Sequence, residues 1–302
     1  MRSLIKFTTA ILVVGLLVGG TVRGQKGETK QPKTLRVMTF NIRYNEPRDK
    51  ENAWPNRKEK VADVIRFHKA DLVGVQEALI GQLRDLETLL PGFARCGVGR
   101  DDGKEKGEFS AILYRKDRFK LLETSTFWLS ETPETPGSKG WGANYARIVT
   151  WAKFRDLQTK TTFFHFNTHF DHETPKARLE GAKLLLQRIA GIAGKEPFVV
   201  TGDFNLVETE EPYLVLTGKE KPADLKTDLS LKDARYRSVN GHFGGNSSFN
   251  GFKELIPNRK IDYIFVKEGV RVFEHGILSD RWDGLWASDH LPVLAEIAFA
   301  KK

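Results

Sequence analysis

The chain has 302 residues, of which 40% are hydrophobic and 29% charged, and its formal charge is +9. This composition excludes a low-complexity, fibrous or disordered chain and leaves room for one large domain or two smaller ones. A single cysteine, Cys96, excludes an internal disulfide, so stability must come from the core and from any bound ion. Between Arg95 and Gly97 it has no adjoining base, and packing is the expected role.

Arg2 and Lys6 precede an apolar run from Ala10 to Gly20, and Val22-Arg23-Gly24 offers a small-residue cleavage site. That is the layout of a secretory signal peptide over residues 1–24. A membrane anchor is the alternative, but about 11 apolar residues fall short of the roughly 20 that span a bilayer. The mature chain is expected to start near Gln25, to be secreted or periplasmic, and to be monomeric. Residues 25–34 read as a polar tether and 35–302 as one domain. Without residues 1–24 the chain loses Arg2, Lys6 and Arg23 but no acid, leaving +6. That charge suits a polyanionic substrate, although the basic residues are dispersed as on an ordinary mixed surface.

Leu35–Phe40 predicts a strand ending at Asn41, and Val61, Val64, Ile65 and His68 follow Pro55 at helical spacing. Asp71–Val75 predicts a buried strand that delivers Gln76 and Glu77, and Leu79, Leu83, Leu86 and Leu90 mark an amphipathic helix stopped at Pro91-Gly92. Strands are expected at Phe109–Arg115 and Phe119–Trp128, then a Pro- and Gly-rich loop from Glu131 to Asn144. Ile148–Phe154 and Thr161–Asn167 read as paired strands, and Leu184, Leu185, Ile189 and Ile192 as a helix running to Gly194. Phe198–Val200 predicts a buried strand ending at Gly202-Asp203, with further strands at Ile261–Val266, Val270–Leu278 and Val293–Phe299. Strands interspersed with helices suit two packed β-sheets covered by helices.

Several strands deliver polar groups at their ends: Asn41; Gln76 and Glu77; Asn167 and His169; Asp203 and Asn205; and Asp262 at the start of another. Ser288-Asp289-His290 opens the last strand. One carboxylate at a strand end is ordinarily a cap or turn former. Carboxylates, amides and imidazoles gathered at strand ends suit phosphate-ester hydrolysis, which needs a hard cation, a base for water and donors to phosphate oxygens. The chain has no His-Glu-x-x-His helix or Cys pairs for zinc, no Gly-rich nucleotide loop and no Gly-x-Ser-x-Gly elbow.

In order, Asn41, Glu77, His169, Gly202-Asp203-Phe204-Asn205, Ile261-Asp262-Tyr263 and Ser288-Asp289-His290 resemble the signature of the endonuclease/exonuclease/phosphatase superfamily, whose fold is that of deoxyribonuclease I. The likeness spans residues 35 to 299 and is nearest to exported bacterial members. It implies an α/β fold, a four-layer α/β/β/α sandwich of two packed mixed β-sheets flanked by helices, with the site at one open end. It also implies that Glu77 is the principal ligand of Mg2+ (or Mn2+), with Asn41 beside it and Asp289 as a second metal contact. By the same resemblance Asp203 moves a proton, Asn205 holds a phosphate oxygen, His290 pairs with Asp262, and His169 contacts phosphate. Which couple is the base stays open.

Three further residues are candidates for substrate binding. Arg147 opens a strand and is placed either to reach a phosphate or on the surface. His172 either lines the site or caps the next helix. Asn250 stands where a family segment reads His-Gly-Phe. Trp54, Trp128, Trp141, Trp282 and Trp286 lie near loops and offer rings for stacking, with packing the default for each. The expected activity is metal-dependent hydrolysis of a compact phosphoester, such as a sugar phosphate or lipid head group, over nucleic acid. The alternative, a non-catalytic phosphate-binding protein, predicts loss of Glu77, Asp203, Asp262 or His290, and all four are present.

Overall fold

The computed structural model describes residues 33–299, so the signal-peptide expectation and most of the tether lie outside the described residues. The described strands, in chain order, are β1 (Leu35–Asn41), β2 (Leu72–Gln76), β3 (Phe93–Cys96), β4 (Ile112–Arg115), β5 (Phe119–Trp128), β6 (Ile148–Asp156), β7 (Thr162–His169) and β8 (Phe198–Asp203). They continue with β9 (Lys232–Asp233), β10 (His242–Phe243), β11 (Asp262–Val266), β12 (Arg271–Ile277), β13 (Arg281–Trp282), β14 (Leu285–Trp286) and β15 (Val293–Ala298). The helices are α1 (Lys58–Phe67), α2 (Ile80–Leu89), α3 (Pro175–Ala193), α4 (Glu211–Thr217) and α5 (Ala234–Arg237). Among the described residues no helix is long and apolar enough to cross a membrane.

One sheet runs β10-β12-β15-β1-β2-β4-β3 and the other β5-β6-β7-β8-β11-β9. Both are mixed: β1 is parallel to β2 and β7 to β8, and their other neighbours in the sheets are antiparallel. Parallel neighbours need a crossover, which α1 and α3 supply. Pro175 in the first turn of α3 gives up no hydrogen bond, and Gly194 at φ 52° ends that helix.

Strand alternation sorts the residues into layers. Met38 and Phe40 of β1 and Val73 and Val75 of β2 pack with Val61, Ile65, Leu83 and Leu86 of α1 and α2. Val200 of β8, Phe166 of β7 and Phe265 of β11 pack with Leu185, Leu186 and Ile189 of α3. Leu35, Val37, Phe163, Val199, Ile264 and Val293 fill the seam between the sheets. The result is the four-layer α/β/β/α sandwich. Burying each such side chain contributes on the order of 1.5–3 kcal/mol.

Along that seam, each strand's inward positions change character towards one end. In β8 they read Val199, Thr201, Asp203, and in β7 Phe163, His165, Asn167, His169. The middle section is a buried polar network. Asn167 Nδ2 donates to the carbonyls of Val75 and Ala111, both at 2.9 Å, and its Oδ1 accepts from Gln76 Nε2 at 2.7 Å and Thr201 Oγ1 at 2.9 Å. His165 Nε2 meets Thr201 Oγ1 at 2.8 Å. Only glycine fits at position 74, since a Cβ there would lie 2.1 Å from Thr201 Oγ1 and 2.4 Å from Asn167 Oδ1. The network ties the sheets together just below the end where the functional groups emerge.

Candidate active site

Strand register converts scattered motifs into one cluster. His169, Asp203 and Asp262 are Cα partners across β7, β8 and β11, so their side chains leave the same face of the sheet side by side. From the facing sheet come Asn41, the last residue of β1, and Glu77, just past β2. Glu77 and Asn205 both have positive φ, 60° and 50°, which is uncommon for residues other than glycine. Such conformations gather where a side chain must be aimed. Here they bend the chain at two strand ends and bring both side chains to the cluster.

His290 Nδ1 lies 2.9 Å from Asp262 Oδ2, and its Nε2 lies 3.7 Å from Asp203 Oδ2. His169 Nε2 approaches the same Asp203 oxygen at 3.5 Å. Asp203 thus sits between two imidazoles, and it also accepts from Asn41 Nδ2 at 3.0 Å and from the Asn205 backbone N–H at 2.9 Å. Burial and the neighbouring Asp262 carboxylate push the Asp203 carboxyl up to about 7. The imidazoles are driven apart. Burial works against a charge on His290, but Asp262, Asp203 and Asp289 outweigh it and raise its pKa well above the usual range. Burial, Arg147 and Arg100 hold His169 well below that range. Asn205 Nδ2 stands 3.0 Å from His169 Nε2, so this nitrogen accepts and the ring proton resides on Nδ1.

Asn41 Nδ2 faces Glu77 Oε1 and Asp203 Oδ2, both at 3.0 Å, while its Oδ1 accepts from the Arg43 backbone N–H at 3.0 Å. Through its amide nitrogen Asn41 bridges Glu77 and Asp203, so it lies at the carboxylate cluster where the sequence places it. Glu77 Oε2 accepts from the Tyr44 backbone at 3.2 Å. Arg43, bound to Asp49 at 3.0 Å, faces Glu77 at 3.8 Å and Asp289 at 4.0 Å. Burial and Glu77 raise the pKa of Asp289. Buried Arg57 reaches the carbonyls of Ile42, Arg43 and Ala287, and so pins the loops that carry Arg43 and Asp289.

These groups open into a cleft of about 800 Å³, which Arg147, His172 and Asp289 also line. Arg147 Nη2 lies 2.7 Å from His172 Nδ1. Asn250 does not line the cleft. Its amide donates to the Ser288 carbonyl at 3.0 Å and accepts from the Phe252 backbone at 2.7 Å, so it braces the Asp289 loop from a buried position. The tryptophans are absent from the lining too, and Tyr44, Tyr145 and Phe249 provide its aromatic rings. Sequence reasoning missed Glu108, whose Oε2 accepts from Arg100 Nη1 at 2.7 Å and stands 3.8 Å from His169 Nδ1. It directly precedes the segment read as a strand from Phe109, the same signal that Asp289 and His290 give before β15. Arg43, Arg57 and Arg100 come from loops and carried no such signal.

Residues 38–290 match the model of the Endonuclease/Exonuclease/phosphatase family. The chain belongs to that family. It is 40% identical to an endonuclease/exonuclease/phosphatase of Bacteroides vulgatus, with a TM-score of 0.83, over 89% of this chain and 100% of that one. A mannosyl-6-phosphatase of Bacteroides thetaiotaomicron is 36% identical, with a TM-score of 0.80, over 88% and 100% of the two chains. The human Nocturnin catalytic domain, at 21% identity and a TM-score of 0.68 over 89% and 94%, shares the fold. An uncharacterized protein of Acanthamoeba polyphaga mimivirus is 24% identical over 83% of this chain, which spans only 39% of that viral protein. Enzymes of the family use divalent metals, and this chain is a phosphoesterase-type hydrolase by its membership.

Proposed function

We propose that the protein is a divalent-metal-dependent hydrolase of a compact phosphoester, with a sugar phosphate as the favoured substrate, working outside the cytoplasm. The observation that carries this reading is Asp203 placed between a histidine held by a carboxylate and a second, neutral histidine. The 36% identity to a mannosyl-6-phosphatase supports the choice of substrate. The basic start and apolar run of residues 1–24 support export.

In this reading Asp203 accepts the proton of the attacking water, within reach of both Nε2 atoms. Asp262 fixes the tautomer and direction of His290, which presents an N–H to the phosphoryl group. Asn205 holds the neutral His169 ring beside Asp203. Glu77 and Asp289 are hard oxygen donors that share one flanking arginine, and burial raises the Asp289 carboxyl beside Glu77, so the pair fits a cation such as Mg2+ or Mn2+. A cation there supplies positive charge for the phosphoryl oxygens and the leaving oxygen. Asp203, Asp262 and His290 also offer three atoms within 4.8 Å of one another. The 2.9 Å contact between His290 and Asp262 reads as a hydrogen bond, and we favour the couple over a second metal set.

A substrate panel tests the reading: mannose 6-phosphate, glycerol 3-phosphate, a nucleoside monophosphate, bis-p-nitrophenyl phosphate and DNA, each with and without magnesium. Metal-dependent turnover that favours the sugar phosphate is expected. Preference for DNA would overturn the choice of substrate, and no turnover of any ester would overturn the enzyme. N-terminal sequencing of the exported protein tests the location, with a start near Gln25 expected and an intact Met1 on cytoplasmic protein contradicting it.

A further inference from the structure

Tyr145 lines the cleft and is 44% exposed, yet its ring is held on several sides. It stacks on the His172 imidazole, with 5.8 Å between centroids and 26° between planes, and the Arg100 guanidinium carbon lies 5.4 Å from its centroid. His172 is fixed in turn by Arg147 at 2.7 Å. Asn144, the residue before Tyr145, is bonded to Glu173, the residue after His172, at the base of the pair. The phenol hydroxyl has no hydrogen-bond partner among the described residues. A second observation points to the same wall. Arg147 is only 4% exposed; its Nε faces the Asp171 carboxylate at 3.7 Å, and its Nη1 makes no hydrogen bond. A buried guanidinium in that state calls for an acceptor oxygen.

From this arrangement we infer that Tyr145 is a specificity-determining residue, which receives a ring in the substrate's leaving group while Arg147 takes one of the substrate's oxygens. A tyrosine held by its neighbours offers a large amphipathic surface with little entropy left to lose. Its ring suits the C–H face of a sugar or the face of a base, and its hydroxyl suits either one's polar edge. An acyclic leaving group gains nothing from it. The inference rests on the phosphoester-hydrolase reading, but binding can be measured without turnover.

The test is calorimetric binding of four probes to Asp203→Asn, with and without Tyr145→Ala: mannose 6-phosphate, adenosine monophosphate, glycerol 3-phosphate and inorganic phosphate. Tyr145→Ala should weaken at least one ring-bearing ester by roughly 3- to 10-fold, the range for an aromatic contact, and leave the other two probes unchanged. Which ring-bearing ester responds tells sugar from nucleoside. Tyr145→Phe should keep most of the affinity. In the active enzyme Tyr145→Ala should raise KM for the same ester and leave kcat within about twofold, as loss of uniform binding requires. Equal losses on all four probes would reduce Tyr145 to a structural role, and no loss on either ring-bearing ester would refute the platform. If selective binding appears but no ester is hydrolysed, the catalytic reading falls and the platform stands.

Discussion

The hydrogen bond between His290 and Asp262 joins side chains from the start of one strand and the approach to another, in different sheets, and it can form only once the seam has closed. An imidazole assists proton movement only when its tautomer and direction are fixed, and Asp262 fixes both. His290→Ala should therefore lower kcat by about 10² to 10⁴-fold, the usual range for lost acid–base assistance. Asp262→Asn should lose a similar amount with an unchanged circular dichroism spectrum. The double variant should lose little more than either single one, because the two side chains act as a unit. Fully multiplicative losses would refute the coupling. At this scale the sequence was legible wherever a strand carried a group into the site, as with His169, Asp203 and Asp262. It misled at Asn250, because an amide that braces a loop and an amide that binds substrate look alike in sequence. It was silent on Arg43, Arg100 and Tyr145, whose loops have no periodicity to say where a side chain points.

Buried strands announced themselves as apolar runs: β5 runs over the residues expected, and β1, β2, β7, β8, β11, β12 and β15 differ by a few residues at their ends. The strand expected at Phe109–Arg115 is shorter, with Phe109 joined only by isolated bridges to Ala78 and Gly99. The four-residue β3 and the two-residue β9, β10, β13 and β14 are too short to show a period. Two predictions belong to the seam that these strands share. Gly74→Ala drives a methyl group into the Thr201 and Asn167 side chains and should cost about 1–3 kcal/mol, the usual range for overpacking. For a domain of this size that lowers Tm by roughly 2–4 °C per kcal/mol in a thermal melt. An unchanged Tm would mean that the seam tolerates the extra volume. His165 lies in the same network, and burial pushes its pKa down to about 3, against an unfolded value near 6.5. The folded state then binds fewer protons, so the stability His165 contributes is full above about pH 6.5 and is lost as pH falls towards 3. In urea melts His165→Gln should flatten the fall in unfolding free energy between those two values. A fall as steep as the parent's would show that other groups set the acid limit.

Across the whole molecule, each strand that feeds the site is apolar at one end of the seam and functional at the other, so the same packing that closes the sandwich assembles the cluster. Glu77 comes from one sheet, Asp203 from the other, and Asn41 bonds to both. In the proposed function this shared end hydrolyses a phosphoester with a divalent cation held at Glu77. The most direct test of that function is turnover of mannose 6-phosphate by chelator-stripped enzyme, with and without added Mg2+ or Mn2+, for the parent and Glu77→Gln, alongside Mn2+ binding followed by electron paramagnetic resonance. No turnover is expected from stripped enzyme, with recovery of the parent on adding metal and a Mn2+ affinity at least about 10-fold weaker in Glu77→Gln, the order of magnitude lost with a supporting ligand. Full turnover in excess chelator, with no metal retained by elemental analysis, would contradict that function.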